Sequence, residues 1–156
     1  MGEDWWIRLA DPGDAEEVSG VLLRSGLAAW GSFLGADRIE QANAGRRHPA
    51  DAVAVDADGI FAFVAWEPDT GEISRLYTDP RGQGRGAAGA LLDVALDALR
   101  EAGREQAWLF TEERNEAAIG FYLNHGWRIE GEPRERDWNG AHLVELRLAH
   151  DIEPRP

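Results

Sequence analysis

A glycine-rich stretch before a predicted helix has the residue types needed to bind an anion. Its glycines are Gly82, Gly84, Gly86 and Gly89, and an apolar stripe with helical spacing runs from residue 88 to 99. Glycine lets the backbone approach a ligand, and the first N–H groups of a helix have no partner within it. Such groups attract anions, so a diphosphate fits the stretch. The alternative is a turn that only ends a strand.

The same stretch also spells a dinucleotide-binding fingerprint, Gly84-x-Gly86-x-x-Gly89, with Glu105 further along. That fingerprint normally opens a βαβ unit near the start of a sheet. Here it follows three strands that we predict to be antiparallel. A chain of 156 residues is also too short for a dinucleotide domain and a substrate domain. The context therefore disfavours a dinucleotide-dependent enzyme.

A second cluster of candidate residues lies at 115–127. Asn115, Ala118 and Tyr122 have the spacing i, i+3, i+7, so a helix would place them on one face. Ile119 and Leu123 would lie on an adjacent face, which we expect to anchor the helix in the core. Tyr122 would then face a ligand, or it would be a buried aromatic residue with a local hydrogen bond.

Together the two segments resemble the GCN5-related N-acetyltransferase family over about residues 5–148. The first is similar to its coenzyme A loop, Gln/Arg-x-x-Gly-x-Gly/Ala, which fits Gln83-x-x-Gly86-x-Ala88 or Arg81-x-x-Gly84-x-Gly86. We favour the first register because it keeps the usual spacing without a gap. The second is similar to Asn-x-x-Ala-x-x-Phe-Tyr, three residues and Gly-Phe, with Trp127 for the phenylalanine. Family loops often carry a larger residue at Gly82.

The resemblance implies an N-acetyltransferase that moves an acetyl group from acetyl-coenzyme A to a primary amine, without a covalent enzyme intermediate. It also implies the coenzyme-binding residues. The strand residues would pair with the pantetheine arm, loop backbone amides would hold the pyrophosphate, and Asn115 would contribute from the second motif. The strand and loop residues are Leu76, Tyr77, Thr78, Gln83, Gly84, Arg85, Gly86, Ala87, Ala88 and Gly89.

Acyl transfer needs a base for the amine, stabilisation of the thioester oxygen and an acid for the leaving thiolate. The resemblance implies Tyr122 as the acid and a backbone N–H of residues 76–78 as the oxyanion donor. Glu72 matches the glutamate base of the histone-acetylating branch, but it could be a solvated carboxylate, with water or another carboxylate as the base. Trp30 and Phe33 fall where the family binds its acceptor, although core packing would explain them equally well.

Residue types and motifs that the chain lacks exclude several other classes of functional site. The chain has no cysteine, which excludes disulfides, a thiolate nucleophile and a cysteine zinc site. His48, His125, His142 and His150 show no metal-ligand spacing, so we expect no metal. No Gly-x-Ser-x-Gly motif of a serine hydrolase is present.

The net charge is −13, from 29 acidic residues and 16 arginines. An acidic surface repels nucleic acid and attracts cations, although the charge could serve solubility alone. No apolar run reaches the roughly 20 residues of a membrane helix, and Met1-Gly2-Glu3-Asp4 is unlike a secretory signal. We therefore expect a cytoplasmic protein that binds neither nucleic acid nor membrane. A homodimer remains open.

Residue patterns predict one α/β domain over 1–156, with a mixed, mostly antiparallel sheet of six to seven strands and helices on both faces. Asn139-Gly140 predicts a hairpin turn. Predicted strands are 5–9, 52–55, 60–66, 72–78, 106–111, 127–131 and 142–148. Predicted helices run from Pro12 to about Gly26, near 37–44, from Ala88 towards Gly103, and over 115–124.

These expectations favour a small cationic metabolite as the acceptor. A protein N-terminal or lysine acetyltransferase is the first alternative. A coenzyme A-binding sensor without turnover is the second, although it would not need both Tyr122 and Glu72. The identity of the amine, the acyl chain length, the base and the oligomeric state are left open by the sequence.

Overall fold

A computed structural model describes residues 4–45 and 49–154. Within them there are eight strands and four α-helices. The strands form an open, mostly antiparallel sheet with the order β1-β2-β3-β4-β5-β8-β6, and β7 pairs with β8. The predicted fold class is confirmed. The strands are β1 (Trp6–Leu9), β2 (Ala52–Asp56), β3 (Gly59–Glu67), β4 (Glu72–Thr78), β5 (Gln106–Glu112), β6 (Arg128–Ile129), β7 (Arg134–Trp138) and β8 (Ala141–Asp151). The helices are α1 (Ala15–Leu34), α2 (Ala36–Asn43), α3 (Ala87–Glu101) and α4 (Glu116–Asn124).

The first helix is longer than the sequence suggests. Pro12 opens a short 3-10 turn, α1 begins at Ala15, and it continues past the predicted end near Gly26 to Leu34. Gly26 is buried inside the helix, so this glycine is a packing residue and not a terminator. The helix ends at Gly35, whose φ of 88° suits glycine.

The sheet has one strand more than predicted. Strand β7 is mostly exposed and charged, so it lacks the apolar alternation by which strands are recognised. It pairs with β8 across the predicted Asn139-Gly140 turn, where both residues have positive φ (47° and 83°). Strand β6 is shorter than predicted, with two residues.

The chain divides into two compact units. The first comprises the chain up to Trp66 with Ser74–Ala95, and the second comprises Glu67–Ile73 with the chain from Leu96 onward. The core of the first unit contains Val18, Val21, Leu22, Val53, Ile60 and Phe63, with Tyr77 packed against it. Buried residues of the second unit include Ala107, Leu109, Tyr122, Trp127, Leu148 and Ala149. None of the described helices is long and apolar enough to cross a membrane.

Candidate functional site

A buried aspartate fixes the start of the glycine-rich loop in the first unit. The N–H of Asp79 donates to the carbonyl of Phe61 at 2.7 Å. Its carboxylate accepts from the N–H of Arg81 at 3.2 Å and from Nε of Arg24 at 2.5 Å. Asp79 thereby caps the 3-10 turn Pro80–Gly82 that follows β4. Asp directly before Pro is a common capping signal, so the sequence carries a local indication of this cap.

Two exposed glycines shape the next part of the loop. Gly84 and Gly86 have φ of 80° and 82°, a region that favours glycine, and no atom lies within 4 Å of where their Cβ would be. The carbonyl of Gly86 accepts from Ala90 at 3.2 Å, which starts α3. The N–H groups of residues 87–89 therefore have no partner within the helix. An open backbone with unpaired N–H groups fits a pyrophosphate.

Gly82 has a different reason to be glycine. It is buried, and a Cβ there would lie 2.3 Å from Cδ2 of Phe61. The ring of Phe61 therefore fills the space that a larger loop residue would need, which explains why this chain departs from the family pattern. Two guanidinium groups also lie over the ring of Phe61. Cζ of Arg85 is 4.4 Å and Cζ of Arg81 is 5.6 Å from the ring centroid.

The two loop arginines point to a carboxylate of the β2–β3 turn. Asp56 accepts from Arg81 at 2.8 Å and from Arg85 at 2.7 Å. The hydrogen bond from Arg81, aided by that from Arg85, holds the pKa of Asp56 well below its usual range. Because the arginines are paired in this way, the anion-binding capacity of the loop rests on its backbone. The side chain of Gln83 donates to the carbonyl of Thr78 at 3.3 Å and so braces the loop.

The candidate acceptor residues lie in the first unit. Trp30 meets Tyr77 edge to face, with ring centroids 6.2 Å apart, and its buried Nε1 has no hydrogen-bond partner. The ring of Tyr77 also packs against that of Phe63, with the ring centroids 5.7 Å apart, so the Tyr77 side chain belongs to the core. Any contact of Tyr77 with the coenzyme would therefore be made by its backbone. Phe33 and Trp30 are half-buried, so both the packing and the binding interpretation of these residues remain.

A cleft of about 400 Å³ lies between α1 and the β2–β3 turn. Its cationic lining residues, Arg24 and Arg81, are already paired with Asp79 and Asp56. The other charged lining residues are the carboxylates Glu16, Glu17 and Asp58. The cleft is therefore a place where cations would accumulate.

In the second unit, Asn115 caps α4. Its side-chain oxygen accepts from the N–H of Ala118 at 3.2 Å, and Asn115 itself lies outside the helix. The oxygen of the Asn115 amide is therefore used by the cap. The predicted contact of Asn115 with the coenzyme stays a prediction. His125 occupies the other end of the helix as the C-cap residue, with Nδ1 2.8 Å from the carbonyl of Phe121.

Tyr122 anchors α4. It is 7% exposed, and its ring lies 5.1 Å from that of Phe121 and 5.4 Å from that of Trp127. Leu123 is 45% exposed, so the prediction that Leu123 anchors the helix in the core is wrong. Ile119 is half-buried. Helical spacing alone could not say which side of α4 is buried. The role of Tyr122 as a proton donor stays a prediction.

Glu72 begins β4 and is half-buried. Its N–H donates to Oγ1 of Thr70 at 3.2 Å, which fixes the strand to the preceding turn. Glu72 is the register partner of Trp108 in the parallel pairing of β4 with β5. Its side chain therefore projects from the same face of the sheet as the indole of Trp108.

Two buried carboxylates in the second unit have no counterpart in the sequence analysis. Burial would raise the pKa of Glu145, but hydrogen bonds from Arg136 (2.6 Å) and Arg134 (2.8 Å) outweigh it and lower that pKa. Burial would likewise raise the pKa of Glu112, but the hydrogen bond from Arg114 acts in the opposite direction, and the pKa of Glu112 is also lowered. Cross-strand register brings Arg134 and Arg136 to Glu145, and the linear sequence gives no signal for that cluster. Arg114 is a chain neighbour of Glu112, which also accepts from the backbone N–H of Val144 on β8.

In residues 4–45 and 49–154, no three His, Asp or Glu side chains are grouped so that they could hold a metal ion. His48 lies outside those ranges. His142 bonds Glu135 at 3.0 Å, and Nδ1 of His150 lies 2.6 Å from the carbonyl of Asp151.

Comparison with known proteins identifies the family. A family model described as acetyltransferase (GNAT) family matches residues 29–127, which is more than half of the chain. The chain is 42% identical over 76 residues to a mycothiol acetyltransferase of Beutenbergia cavernae, a match that covers 46% of this chain and 26% of that protein. The chain thus matches about a quarter of the length of that curated relative.

Solved structures show the same fold. A GCN5-related N-acetyltransferase from Rhodopseudomonas palustris superposes with a TM-score of 0.79 at 17% identity, covering 94% of this chain and 95% of that one. The protein yncA of Salmonella typhimurium, solved with its cofactor acetyl-CoA, gives 0.69 at 19% identity over 99% and 97%. With the family match over residues 29–127, the chain belongs to the acetyltransferase (GNAT) family.

Proposed function

We propose that the protein is an acetyl-CoA-dependent N-acetyltransferase that acetylates a primary amine of a small cationic metabolite. The observation that carries the proposal is the loop with glycines at positive φ, directly before the unpaired N–H groups of α3. Family membership supports the same coenzyme. A relative named as a mycothiol acetyltransferase favours a small-molecule acceptor over a protein.

In the proposed reaction, acetyl-CoA supplies the acetyl group as a thioester. The neutral amine nitrogen forms a bond to the acetyl carbon, and the carbon–sulfur bond breaks. Glu72 takes the proton that the acceptor ammonium must lose before it attacks, and Tyr122 protonates the departing sulfur. The second proton, which the nitrogen loses as the amide forms, returns to the phenolate of Tyr122. A backbone N–H of residues 76–78 donates to the thioester oxygen as it gains charge. This scheme needs no nucleophilic side chain, which suits a chain without cysteine.

The acceptor is proposed to be cationic because the chain carries a net charge of −13 and has a cleft lined by the carboxylates Glu16, Glu17 and Asp58. An acidic field concentrates cations, and salt screens it over about 10 Å at 0.1 M. We therefore expect kcat/KM for a polyamine to fall as salt rises. A preference for a neutral-bodied amine that does not depend on salt would contradict the hypothesis of a cationic acceptor. It would not contradict the proposed acetyltransferase activity.

The coenzyme assignment is tested by calorimetry with acetyl-CoA on the wild type and Gly86→Glu. The variant puts a side chain and a negative charge where the pyrophosphate would lie, so we expect affinity to fall at least about 100-fold. Gly103→Glu is the matched control, because Gly103 also has positive φ (84°) and open space but follows the far end of α3. Equal binding by wild type and Gly86→Glu would show that the loop does not hold the coenzyme.

Turnover is tested by thiol release from acetyl-CoA with a panel of diamines, polyamines and basic peptides. We expect release with the small amines. Preferred acetylation of peptides would favour the protein-directed alternative, and binding of acetyl-CoA without release with any amine would favour a coenzyme sensor.

A further inference from the structure

One face of the second unit combines aromatic rings with arginines. Phe110 of β5 pairs with Arg147 of β8, and Arg134 of β7 pairs with Glu145 of β8. Side chains of opposed residues project from the same face of a sheet. Cζ of Arg147 lies 4.5 Å from the ring centroid of Trp108, and Cζ of Arg134 lies 3.7 Å from that of Phe110. Both distances suit cation–π stacking.

Arg147 and Arg104 are the described arginines of this unit that have no carboxylate partner, and Arg104 donates instead to the backbone carbonyl of Asp69. Arg134 and Arg136 both bond Glu145, Arg114 bonds Glu112, and Arg128 bonds Glu130 and Asp151. In the described ranges, Arg147 makes no ion pair and no side-chain hydrogen bond, although the chain has 29 acidic residues. Its guanidinium therefore has donors available along its edge.

The indole beneath Arg147 is held in place. Nε1 of Trp108 donates to the carbonyl of Thr70 at 2.9 Å, and the backbone N–H of Trp108 donates to the carbonyl of Gly71 at 3.1 Å. A fixed ring orients the guanidinium that stacks on it, and a half-buried planar cation with edge donors matches a carboxylate. Preorganisation lowers the entropic cost of binding.

The candidate base lies beside this pair. Glu72 is the register partner of Trp108, so Glu72, Trp108 and Arg147 share one face of the sheet in the second unit. A molecule held by a carboxylate at Arg147 would thus have its amine on the face that carries Glu72.

We propose that Arg147, stacked on Trp108, binds a carboxylate of the amine acceptor. The acceptor class is then a diamino acid, which has a net positive charge or none and carries both an amine and a carboxylate. The proposal rests on the proposed function and narrows its acceptor. It adds no chemical step, because the carboxylate remains unchanged through the transfer.

Binding is tested without catalysis. In ¹⁵N-labelled protein, the Nε–H signal of Arg147 and the indole N–H signal of Trp108 are identified through Arg147→Gln and Trp108→Phe. We titrate with lysine, with lysinamide and with 1,5-diaminopentane, which lacks the carboxylate. Lysine should shift both signals saturably and bind about 10- to 100-fold more tightly than the other two, the value of a hydrogen-bonded ion contact. Equal shifts from all three ligands, or none, overturn the proposal.

Turnover gives a second readout. The ratio of kcat/KM for lysine to that for 1,5-diaminopentane should fall about 10- to 100-fold in Arg147→Gln, mainly through KM for lysine. Arg128→Gln is the control, because it removes the same charge from an exposed arginine that is already paired. A ratio unchanged by Arg147→Gln, or lowered equally by Arg128→Gln, contradicts the proposal.

The two hypotheses fail separately. If the wild type does not bind acetyl-CoA, the proposed function is wrong, and the titration alone decides whether Arg147 binds carboxylates. If acetyl-CoA binds and diamines are acetylated but lysine has no advantage, the acetyltransferase stands and the carboxylate site falls.

Discussion

The glycine-rich loop of the first unit and the arginine-rich face of the second offer two different ways to hold an anion. The loop presents backbone N–H groups, and its own arginines, Arg81 and Arg85, are directed to Asp56. The face presents a side chain, Arg147, stacked on an indole and without an acid partner in the described part of the chain. Backbone groups suit a ligand that never changes, whereas a side chain can differ between relatives with different acceptors.

The comparison also separates binding from chemistry. The first unit supplies the candidate coenzyme contacts of the loop and of residues 76–78, which are all available from the backbone. The second unit supplies Tyr122 and Glu72, whose roles depend on a hydroxyl and a carboxylate. Variants of the two units should therefore affect different kinetic parameters.

Removing the hydroxyl of Tyr122 should have the largest effect. We expect Tyr122→Phe to lower turnover about 10²- to 10⁴-fold with little change in acetyl-CoA affinity, because a positioned proton donor is lost. The phenyl ring keeps the packing on Trp127. Steady-state kinetics, calorimetry and thermal unfolding of the same preparation check this. Unchanged turnover would remove Tyr122 from the mechanism and leave it as the anchor of α4.

Glu72→Gln should lower kcat/KM by about 10²-fold, at the low end of the range for a general base. The amine reacts only when neutral, so the wild-type rate should rise with pH until base and amine are both deprotonated. The variant should flatten or displace the lower limb of this profile. Glu67→Gln, on an exposed carboxylate near the same turn, is the control. A profile that keeps its shape in Glu72→Gln would assign the base to water or to another carboxylate.

Sequence patterns predicted the loop well and the arginine face not at all. The strand, Asp79-Pro80, the glycines and α3 are contiguous, and each acts on its chain neighbours. The stacking of Arg147 on Trp108 joins residues 39 positions apart through the β5–β8 register, and that register has no local signature. The exposed β7 was missed for a different reason, because it lacks apolar alternation, although the Asn139-Gly140 turn beside it was predicted.

Within the loop, one detail also needed the structure. Gly82, Gly84 and Gly86 look equivalent in the sequence. Two of them have positive φ and open space, whereas Gly82 has neither and is glycine because Phe61 lies against it. A long-range contact decided that position. The sequence also could not predict which side of α4 is buried, because Leu123 and Tyr122 are both suited to a core.

Gly82→Ala tests whether the loop depends on that contact. The new methyl group would lie 2.3 Å from Phe61, which is fully buried, so the ring must move. We expect the free energy of unfolding to fall by about 1–3 kcal/mol. Gly31→Ala is the matched change, inside α1 with no atom within 4 Å, and it should raise the free energy of unfolding by about 0.5–1 kcal/mol. Denaturant unfolding measures both. Equal small effects would mean that Phe61 adapts freely.

The smallest expected effect concerns the arginine face and pH. The pKa of Glu145 is lowered in the folded protein, where Arg134 and Arg136 outweigh the effect of burial, so its ionised form stabilises the fold. That stabilisation is fully present above the unfolded pKa of about 4.3 and is lost as pH falls through the lower folded pKa. Glu145→Gln should therefore lower the free energy of unfolding by about 1 kcal/mol at pH 7, and the difference from wild type should shrink below about pH 4. Glu135→Gln, on an exposed neighbour in β7, is the control for removing one carboxylate from this face. Denaturant unfolding at pH 7, 5, 4 and 3 checks the sign. If the wild type and Glu145→Gln stay equally far apart at all four pH values, ionisation of Glu145 does not stabilise this face.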